Sequence, residues 1–202
     1  VDTDTYMYSL QAARQESQGA VLSHRSVINY IQWATTEFHS MKTSFGAQTP
    51  LHFSMSVTDL FSTVKCGGTY NIIPKEYFSF PVKLIEYIND RKINTLYWVP
   101  SALNIVANWD TFSYIKPEYL KKYCLPENYA CKAVELLAPG HFLIFFTANL
   151  FGPTETTDIC SYYVVNHTFS DEETLPIGVA CDNCDLIIVD ENGKEAASGE
   201  LL

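Results

Sequence analysis

The spacing of apolar residues changes back and forth along the first half of the chain. Apolar side chains three or four residues apart, as one face of a helix requires, predict helices over 27–38, 56–65, 80–92 and 101–107. Short apolar runs bounded by glycine or proline predict strands over 50–54, 69–73 and 95–99. Strands of about five residues that alternate with helices are typical of parallel sheets. We therefore predict an α/β fold, with a mostly parallel sheet flanked by helices.

Individual residues predict where these helices begin and end. Ser26 and Ser101 are candidate N-caps, Pro81 suits a first turn, and Gly67 suits the residue that follows a helix. The helices should cover the sheet with their apolar faces. In the second helix that face is predicted to contain Val57, Leu60, Phe61 and Val64, and in the third Val82, Leu84, Ile85 and Ile88.

The pattern changes after residue 155. Apolar runs at 161–165 and 184–189, with a turn signal at Glu191-Asn192-Gly193, predict a β-rich segment. We find no internal repeat, low-complexity tract or linker. The expected organisation is one domain, with an α/β part over 1–160 and a β-rich part over 161–202.

Composition and charge exclude several classes of protein. The 202 residues are 47% hydrophobic, enough for a substantial core, and the net charge of -10 argues against a nucleic-acid partner. No apolar run approaches the roughly 20 residues of a membrane span, and residues 1–7 do not resemble a signal peptide. We therefore expect a cytoplasmic protein that is not inserted in a membrane. Six cysteines are too few for a disulfide scaffold. Cys181 and Cys184 form a lone CxxC pair that we interpret as structural thiols.

The stretch "ANLFGPTETTD", residues 148–158, carries the candidate chemistry. Gly152 and Pro153 end an apolar run, and three threonines, a glutamate and an aspartate follow. Hydroxyl groups can donate to phosphate oxygens, and a carboxylate can hold Mg²⁺. The alternative is a polar turn capped by Thr154 before a helix. Because ligands of α/β sheets bind beyond the carboxyl ends of strands, the position favours a binding site.

Further segments accompany "GPTE" in a fixed order. "GAVLSHRS" precedes it, "LPIG" (175–178) follows about twenty residues later, and "GEL" stands near the end of the chain. In this order they resemble the adenylation domains of nonribosomal peptide synthetases and the D-alanine–carrier protein ligases, which are adenylate-forming enzymes. The resemblance covers most of 20–122 and 146–202. It implies an AMP-forming ligase that uses ATP and Mg²⁺, activates an amino acid or other carboxylate, and loads the phosphopantetheine thiol of a carrier protein. We expect the subdomain with the family's catalytic lysine to be absent from this chain.

The resemblance also implies roles for individual residues. Thr154 would contact the AMP phosphate and Glu155 the magnesium ion, both as catalytic residues. The other nucleotide contacts would be Phe151 stacked on adenine, Asn149 near the base, Gly152 in the turn, and His24 beside the phosphate loop. For His24, capping of the helix entry is the alternative. The pocket for the acyl or amino-acid group would be lined by Ser54, Met55, Thr58, Ser101, Leu150, Asp158 and Ile159.

Three segments depart from the family pattern. The phosphate loop, a Thr-Ser-Gly-Ser-Thr-Gly run followed by Pro-Lys-Gly, is replaced by "YSLQAARQESQGAV", which has no lysine and no glycine before Gly19. Ser54 stands where the family has an aspartate that holds the substrate amine. The segment "YCLPENYACKAVELLAPGHFLIFF" replaces the family's Gly-Glu region.

Frame-shifted coding would explain two of these departures. Codons that straddle residue boundaries over 8–14 permit Phe-Thr-Ser-Gly-Ser-Thr, and those over 17–20 permit Pro-Lys-Gly in the other frame. The same operation over 123–128 permits Leu-Phe-Ala-Gly-Glu. We hypothesise gene decay or a sequencing error, with ordinary divergence as the alternative. On this hypothesis 9–19 and 123–146 should fit the fold badly, 9–19 should be irregular or helical, and the chain alone should be poorly soluble without pyrophosphate exchange.

Three readings of function follow. The first is an adenylating ligase for an amino acid or another carboxylate. The second is a catalytically inactive remnant that keeps the scaffold. The third is an acyl-CoA ligase of the same superfamily, which the neutral Ser54 allows.

Overall fold

The computed structural model describes residues 4–10, 18–37, 43–126, 146–167, 169, 173–182, 184–197 and 200–201. Within them lies a seven-stranded sheet in the order β4-β3-β5-β6-β7-β8-β9. The first five strands in this order are parallel, and β8 and β9 continue the sheet antiparallel. The strands are β3 (Ser44–Ala47), β4 (Thr69–Ile72), β5 (Thr95–Tyr97), β6 (Lys122–Pro126), β7 (Phe146–Phe151), β8 (Ser161–Val164) and β9 (Val179–Ala180). The predicted α/β class is confirmed.

Two antiparallel pairs stand beside this sheet. One joins β1 (Asp4–Leu10) to β2 (Gln18–Ser23), and the other joins β10 (Ile188–Val189) to β11 (Glu200–Leu201). The predicted turn at Glu191–Gly193 is confirmed, since the Gly193 amide donates to the Asp190 carbonyl at 2.9 Å. The predicted strand at 184–189 is shorter than expected, because only β10 forms regular pairing there.

The four described helices cover both faces of the sheet. They are α1 (His24–Glu37), α2 (Ser56–Cys66), α3 (Pro81–Asp90) and α4 (Pro100–Asn108). Leu96 and Trp98 pack with the buried side chains of α3 and α4, whereas Tyr97, between them in sequence, packs with those of α1 and α2. Because successive strand residues point to opposite faces, the two helix pairs lie on opposite sides of β5.

The strand predicted over 50–54 is wrong. Residues there form tight turns, with the Phe53 amide bonded to the Pro50 carbonyl at 3.0 Å, and Leu51 and Phe53 are exposed. The parallel partner of β4 and β5 is instead β3, which buries Phe45 and Ala47. A four-residue strand with one large apolar side chain does not stand out from loop sequence, whereas the exposed "PLHF" does.

Several details of the helices also differ from prediction. The first helix begins at His24, not after Ser26, because Ser23 Oγ accepts the Ser26 amide at 3.1 Å and takes the capping position. The fourth begins at Pro100, so Ser101 lies inside it. Val82 is 41% exposed, although Leu84, Ile85 and Ile88 are buried as predicted. The stop at Gly67 is confirmed by its left-handed φ of 60°.

The second helix presents an unusual buried face. Val57 is buried, but Leu60 and Phe61 are half-buried and Val64 is 72% exposed. The buried positions are mostly polar and include Thr58, Asp59, Ser62 and Thr63. Burial of polar groups is costly unless they are bonded. Thr58 and Thr63 make hydrogen bonds, whereas the Asp59 carboxyl group and the Ser62 hydroxyl have no partner among the described residues.

The two departing segments are described only at their ends. Ser9 and Leu10 pair with Gly19 and Gln18 as antiparallel strands, so the expectation of an irregular or helical 9–19 is wrong there. The segment 123–126 forms a parallel strand with Tyr123 and Cys124 buried, and it fits the sheet well. Residues 11–17 and 127–145 lie outside the described residues. No helix in the described part of the chain is long and apolar enough to cross a membrane.

Candidate functional site

The "GPTE" segment folds back sharply on the residues that follow it. The Cys160 amide donates to the Phe151 carbonyl at 2.9 Å, which brings 158–160 against the end of β7. A Cβ atom on Gly152 would lie 2.3 Å from the Asp158 carbonyl oxygen and 2.6 Å from Ile159 Cα. Only glycine allows this approach of two backbone segments. The turn is therefore built around the absence of a side chain at residue 152.

The turn then forces two residues into the left-handed region. Thr154–Thr156 form one 3₁₀ turn, after which Thr157 has a φ of 68° and Asp158 a φ of 84°. A β-branched residue rarely adopts a positive φ, so the backbone stores strain here. The alternative, a polar turn capped by Thr154 before a helix, is wrong, because Thr154 is the first residue of the 3₁₀ turn, Pro153 precedes it at the cap position, and no side chain caps the turn. Asp158 points inward as a result, whereas Glu155 stays exposed.

A cleft of about 190 Å³ lies between this turn and the first half of α1. Glu155, Thr156 and Thr157 line one side, and Ser26, Asn29 and Tyr30 are among the lining residues from the helix. Strand β2 contacts the same turn, so the chain that leads into His24 lies beside it. A larger and mostly apolar groove of about 330 Å³ borders β3 and β4, away from these polar groups.

Asp158 is the centre of a buried hydroxyl network. Its Oδ2 accepts hydrogen bonds from Thr58 Oγ1 at 2.6 Å, Tyr30 Oη at 3.1 Å and Tyr97 Oη at 3.4 Å. The Ser54 hydroxyl also interacts with this carboxyl group and lowers its pKa. Thr58 Oγ1 and Tyr30 Oη lie 2.5 Å apart. Burial raises the pKa of Asp158, while the hydroxyl donors oppose that rise.

Asp59 is a second buried carboxyl group. It is 1% exposed, and neither of its carboxyl oxygens has a hydrogen-bond partner among the described residues. Burial, and next the charge of Asp158, raise its pKa well above the ordinary value. Folding therefore shifts the equilibrium of the Asp59 carboxyl group toward its protonated form, relative to the unfolded chain.

Replacing Asp59 by asparagine is expected to stabilise the chain at neutral pH and leave its stability at acid pH nearly unchanged. The pKa of Asp59 is higher in the folded chain than in the unfolded chain. Its contribution to the free energy of unfolding is therefore fully present below the unfolded-state pKa and is lost as pH rises through the folded-state pKa. The loss is at most about 1.4 kcal/mol for each pH unit, and asparagine removes it. Urea unfolding from pH 4 to pH 8 measures the slope. The exposed Asp110→Asn is the matched control, and parallel pH profiles for Asp59→Asn and the parent chain would contradict the argument.

Most of the predicted pocket residues come together. Thr58 bonds to Asp158, and Ser54 Oγ lies 3.5 Å from Thr154 Oγ1. Met55, Leu150 and Ile159 belong to the apolar cluster around Val57 and Tyr97. Ser101 is exposed at the start of α4, whose buried side chains pack on the other face of the sheet. Its place in the pocket stays a prediction.

The predicted nucleotide contacts lie near the end of β7. Asn149 is fully buried and donates through Nδ2 to the Pro176 carbonyl at 2.8 Å, which ties β7 to "LPIG". Phe151 and Gly152 are half-buried at the strand end, and His24 is the first residue of α1. The roles of these residues toward a nucleotide stay predictions.

Sequence reasoning missed Tyr30, Tyr97 and Asp59. Both tyrosines sit among apolar residues of predicted elements, where an aromatic residue indicates core. Sequence carried no signal for Asp59, because helical spacing puts it on the side opposite Val57 and Val64, where a charged residue is expected to be solvated. The described residues contain no group of three or more side chains suited to a metal site.

Curated relatives match nearly the whole chain. A D-alanine–D-alanyl carrier protein ligase of Bacillus velezensis is 28% identical over 199 residues, which cover 96% of this chain and 39% of that ligase. The corresponding ligase of Bacillus cytotoxicus is 25% identical, over 98% of this chain and 40% of its own length. The chain thus spans about two fifths of the length of the curated relatives it matches.

Solved structures share the fold at lower identity. One is the Vibrio cholerae adenylation domain AlmE in complex with glycyl-adenosine-5'-phosphate, with a TM-score of 0.81 at 20% identity. The match covers 98% of this chain and 38% of the AlmE chain. Another is the nonribosomal peptide synthetase FmoA3 in its alpha-methyl-L-serine-AMP-bound form, with a TM-score of 0.83 at 21% identity. That match covers 99% of this chain and 23% of the FmoA3 chain.

A family profile decides the assignment. The profile of the AMP-binding enzymes matches residues 17–202, which include β2, the whole seven-stranded sheet and the "GPTE" turn. The predicted resemblance is confirmed by this match together with the curated relatives. The chain belongs to the AMP-binding enzyme family.

Proposed function

We propose that this chain is part of an ATP-dependent ligase that activates an amino acid as its acyl-adenylate and transfers the acyl group to the thiol of a carrier protein. The observation that carries the proposal is the turn after β7. It sets the Thr154 hydroxyl beside Ser54 and leaves the Glu155 carboxylate exposed, at the carboxyl end of a parallel strand. The names of the curated relatives, which are ligases of D-alanine and its carrier protein, support the substrate and acceptor classes.

The residues present fit a magnesium-bound nucleotide. Glu155 offers an exposed oxygen ligand of the kind that Mg²⁺ prefers, and Thr154 offers a hydroxyl donor in the same turn. A Mg²⁺ ion held by Glu155 would offset charge on the phosphate oxygens. We assign Phe151 to the face of the adenine, Asn149 and Gly152 to the strand end near the base, and His24 to the phosphate side.

The proposed reaction has two steps. A carboxylate oxygen of the substrate attacks the α-phosphorus of ATP, and the bond from that phosphorus to the bridging oxygen breaks, so that pyrophosphate leaves. The carrier thiolate then attacks the acyl carbonyl, and AMP leaves with the electron pair of the broken C–O bond. Hydroxyl donors such as Thr154 stabilise the charge that develops on the phosphate oxygens in the first step.

Two other functions each rest on a specific observation. The neutral Ser54 favours an acyl-CoA ligase, because a serine cannot form an ion pair with a substrate amine. The absence of lysine and of closely spaced glycines from 8–21 favours a remnant without catalysis. Exchange of pyrophosphate into ATP across a panel of carboxylates separates a ligase from a remnant. The dependence of that exchange on an amine separates an amino-acid ligase from an acyl-CoA ligase.

Replacing Glu155 by glutamine is expected to abolish the Mg²⁺-dependent part of ATP binding. The variant keeps the size of the side chain but loses the anionic ligand. Titration calorimetry with ATP, with and without Mg²⁺, measures the effect on the full chain. Glu191→Gln, in the exposed turn before Gly193, is the matched control and should bind as the parent does. Unchanged Mg²⁺-dependent binding by Glu155→Gln would remove the proposed role of Glu155.

A further inference from the structure

Ser54 connects the "GPTE" turn to a buried carboxyl group. Its Oγ lies 3.5 Å from Thr154 Oγ1, and its hydroxyl also interacts with the carboxyl group of Asp158 and lowers the pKa of that group. Ser54 is only half-buried, whereas Asp158 is 2% exposed. The Ser54 hydroxyl therefore lies between the "GPTE" turn and the carboxyl group of Asp158, which is the more deeply buried of the two groups.

No cationic side chain among the described residues is seen to pair with the carboxylate of Asp158. Its hydrogen-bond donors are the neutral hydroxyls of Thr58, Tyr30 and Tyr97, and the neutral hydroxyl of Ser54 also interacts with it. Hydroxyl donors fix the orientation of a carboxylate and lower the cost of burial, but they do not neutralise the charge. A cationic group that entered past Ser54 would complete this arrangement, because a buried carboxylate is most stable with both hydrogen bonds and an opposite charge.

An amino-acid substrate brings such a group. An ammonium loses hydration when it enters a protein and needs an anionic partner there. The other described carboxyl groups of the site are less suitable. Glu155, which is assigned to Mg²⁺, and Asp182, which also lines the cleft, are exposed. Asp59 has no hydrogen-bond partner among the described residues, so it stands outside the hydroxyl network.

We propose that Asp158, reached past Ser54, binds the ammonium group of the substrate and selects amino acids whose amine is on the β or γ carbon. This inference rests on the proposed function. A carboxylate at position 54 itself would meet an ammonium on the α carbon. Asp158 lies beyond the Ser54 hydroxyl, deeper by about one hydrogen-bond length of 2.8 Å. An extended chain gains about 1.2 Å for each bond, so one or two added carbons span that depth.

The test uses acyl-adenylate mimics, in which a sulfamate replaces the phosphate ester, together with AMP alone. The acyl groups are glycyl, β-alanyl, 4-aminobutanoyl and propanoyl, and titration calorimetry on the full chain gives each Kd. We expect the β-alanyl or 4-aminobutanoyl mimic to bind at least about tenfold more tightly than the glycyl and propanoyl mimics, a difference of about 1.4 kcal/mol. Asp158→Asn should lower the affinity of the preferred mimic to that of the propanoyl mimic and leave AMP binding unchanged.

Two more variants keep the outcome interpretable. Ser54→Asp moves a carboxylate to the entrance and should shift the preference toward the glycyl mimic, even if Asp158→Asn fails to fold. Asp59→Asn changes a buried carboxyl group outside the hydroxyl network and should preserve the ranking. If AMP binds and the β-alanyl and propanoyl mimics bind with equal affinity, the proposed role of Asp158 is overturned. If the glycyl mimic binds most tightly, the proposed selection by the position of the amine is overturned. Failure of AMP and all mimics to bind refutes the proposed function instead.

Discussion

Alanine at position 152 is expected to unfold the turn after β7 and to weaken the proposed binding of ATP. The added Cβ would lie 2.3–2.7 Å from backbone atoms of Asp158, Ile159 and Cys160. Those atoms belong to the chain that returns along the end of β7, so no side-chain rotation can relieve the collision. Displacement of 158–160 would also pull Asp158 away from Thr58 and Tyr30. We expect an affinity for ATP at least about a hundredfold lower, which corresponds to about 2.7 kcal/mol.

Gly193→Ala is the matched control for this variant. Gly193 has a positive φ of 74°, but nothing lies within 4 Å of an added Cβ. Its replacement should cost about 1 kcal/mol of stability through backbone strain and leave ATP affinity unchanged. Calorimetric titration and thermal unfolding of both variants give the comparison. Tight ATP binding by Gly152→Ala would mean that the close approach at residue 152 is not needed for the site.

Replacing Trp98 by alanine is expected to lower the free energy of unfolding by about 3–5 kcal/mol. Trp98 is 1% exposed and packs edge-on against Phe78 and Tyr123, with ring centroids 5.2 Å and 6.5 Å away. Its Nε1 donates to the Gly46 carbonyl at 2.8 Å, so truncation also leaves a buried acceptor without its donor. Equilibrium unfolding in urea, followed by circular dichroism, measures the change.

The comparison for Trp98 is Trp109→Ala. Trp109 is 68% exposed, so its truncation should change stability by less than about 0.5 kcal/mol. Equal losses for the two tryptophans would show that Trp98 does not carry the packing described for it. A loss at Trp98 alone would confirm that this residue, directly after β5, anchors the face of the sheet covered by α3 and α4.

Local sequence determined the elements whose boundaries depend on neighbouring residues. The helices α2 and α3, the strand β4 and the turn before Gly193 were all predictable, because apolar spacing, Gly67, Pro74 and Pro81 act over one or two turns of chain. The family segments likewise identified the "GPTE" turn. Gly152 shows why that turn could be located by sequence, since its close backbone contacts need glycine at that residue.

Errors arose where burial depends on distant partners. Val64 has the spacing of a core residue but is exposed, and Asp59 on the same helix is buried. The strand β3 was missed because it is formed by pairing with β4 and β5, which are distant in sequence, rather than marked by any local pattern. Apolar spacing describes which side chains share a face, but only the packed sheet decides whether that face meets protein or water.

The buried network around Asp158 shows the same division most clearly. Sequence alone placed Thr58 and Asp158 in one pocket through the family resemblance, but it did not indicate Tyr30 or Tyr97. These partners are 128 and 61 residues from Asp158 along the chain, and Thr58 is 100 residues away. Hydrogen bonds between such positions form only when the parallel sheet brings β5, β7 and the two helices α1 and α2 together. The residue types were therefore set by sequence, whereas the charge environment of Asp158 was decided by tertiary structure, because burial and long-range hydroxyl donors have no local signature.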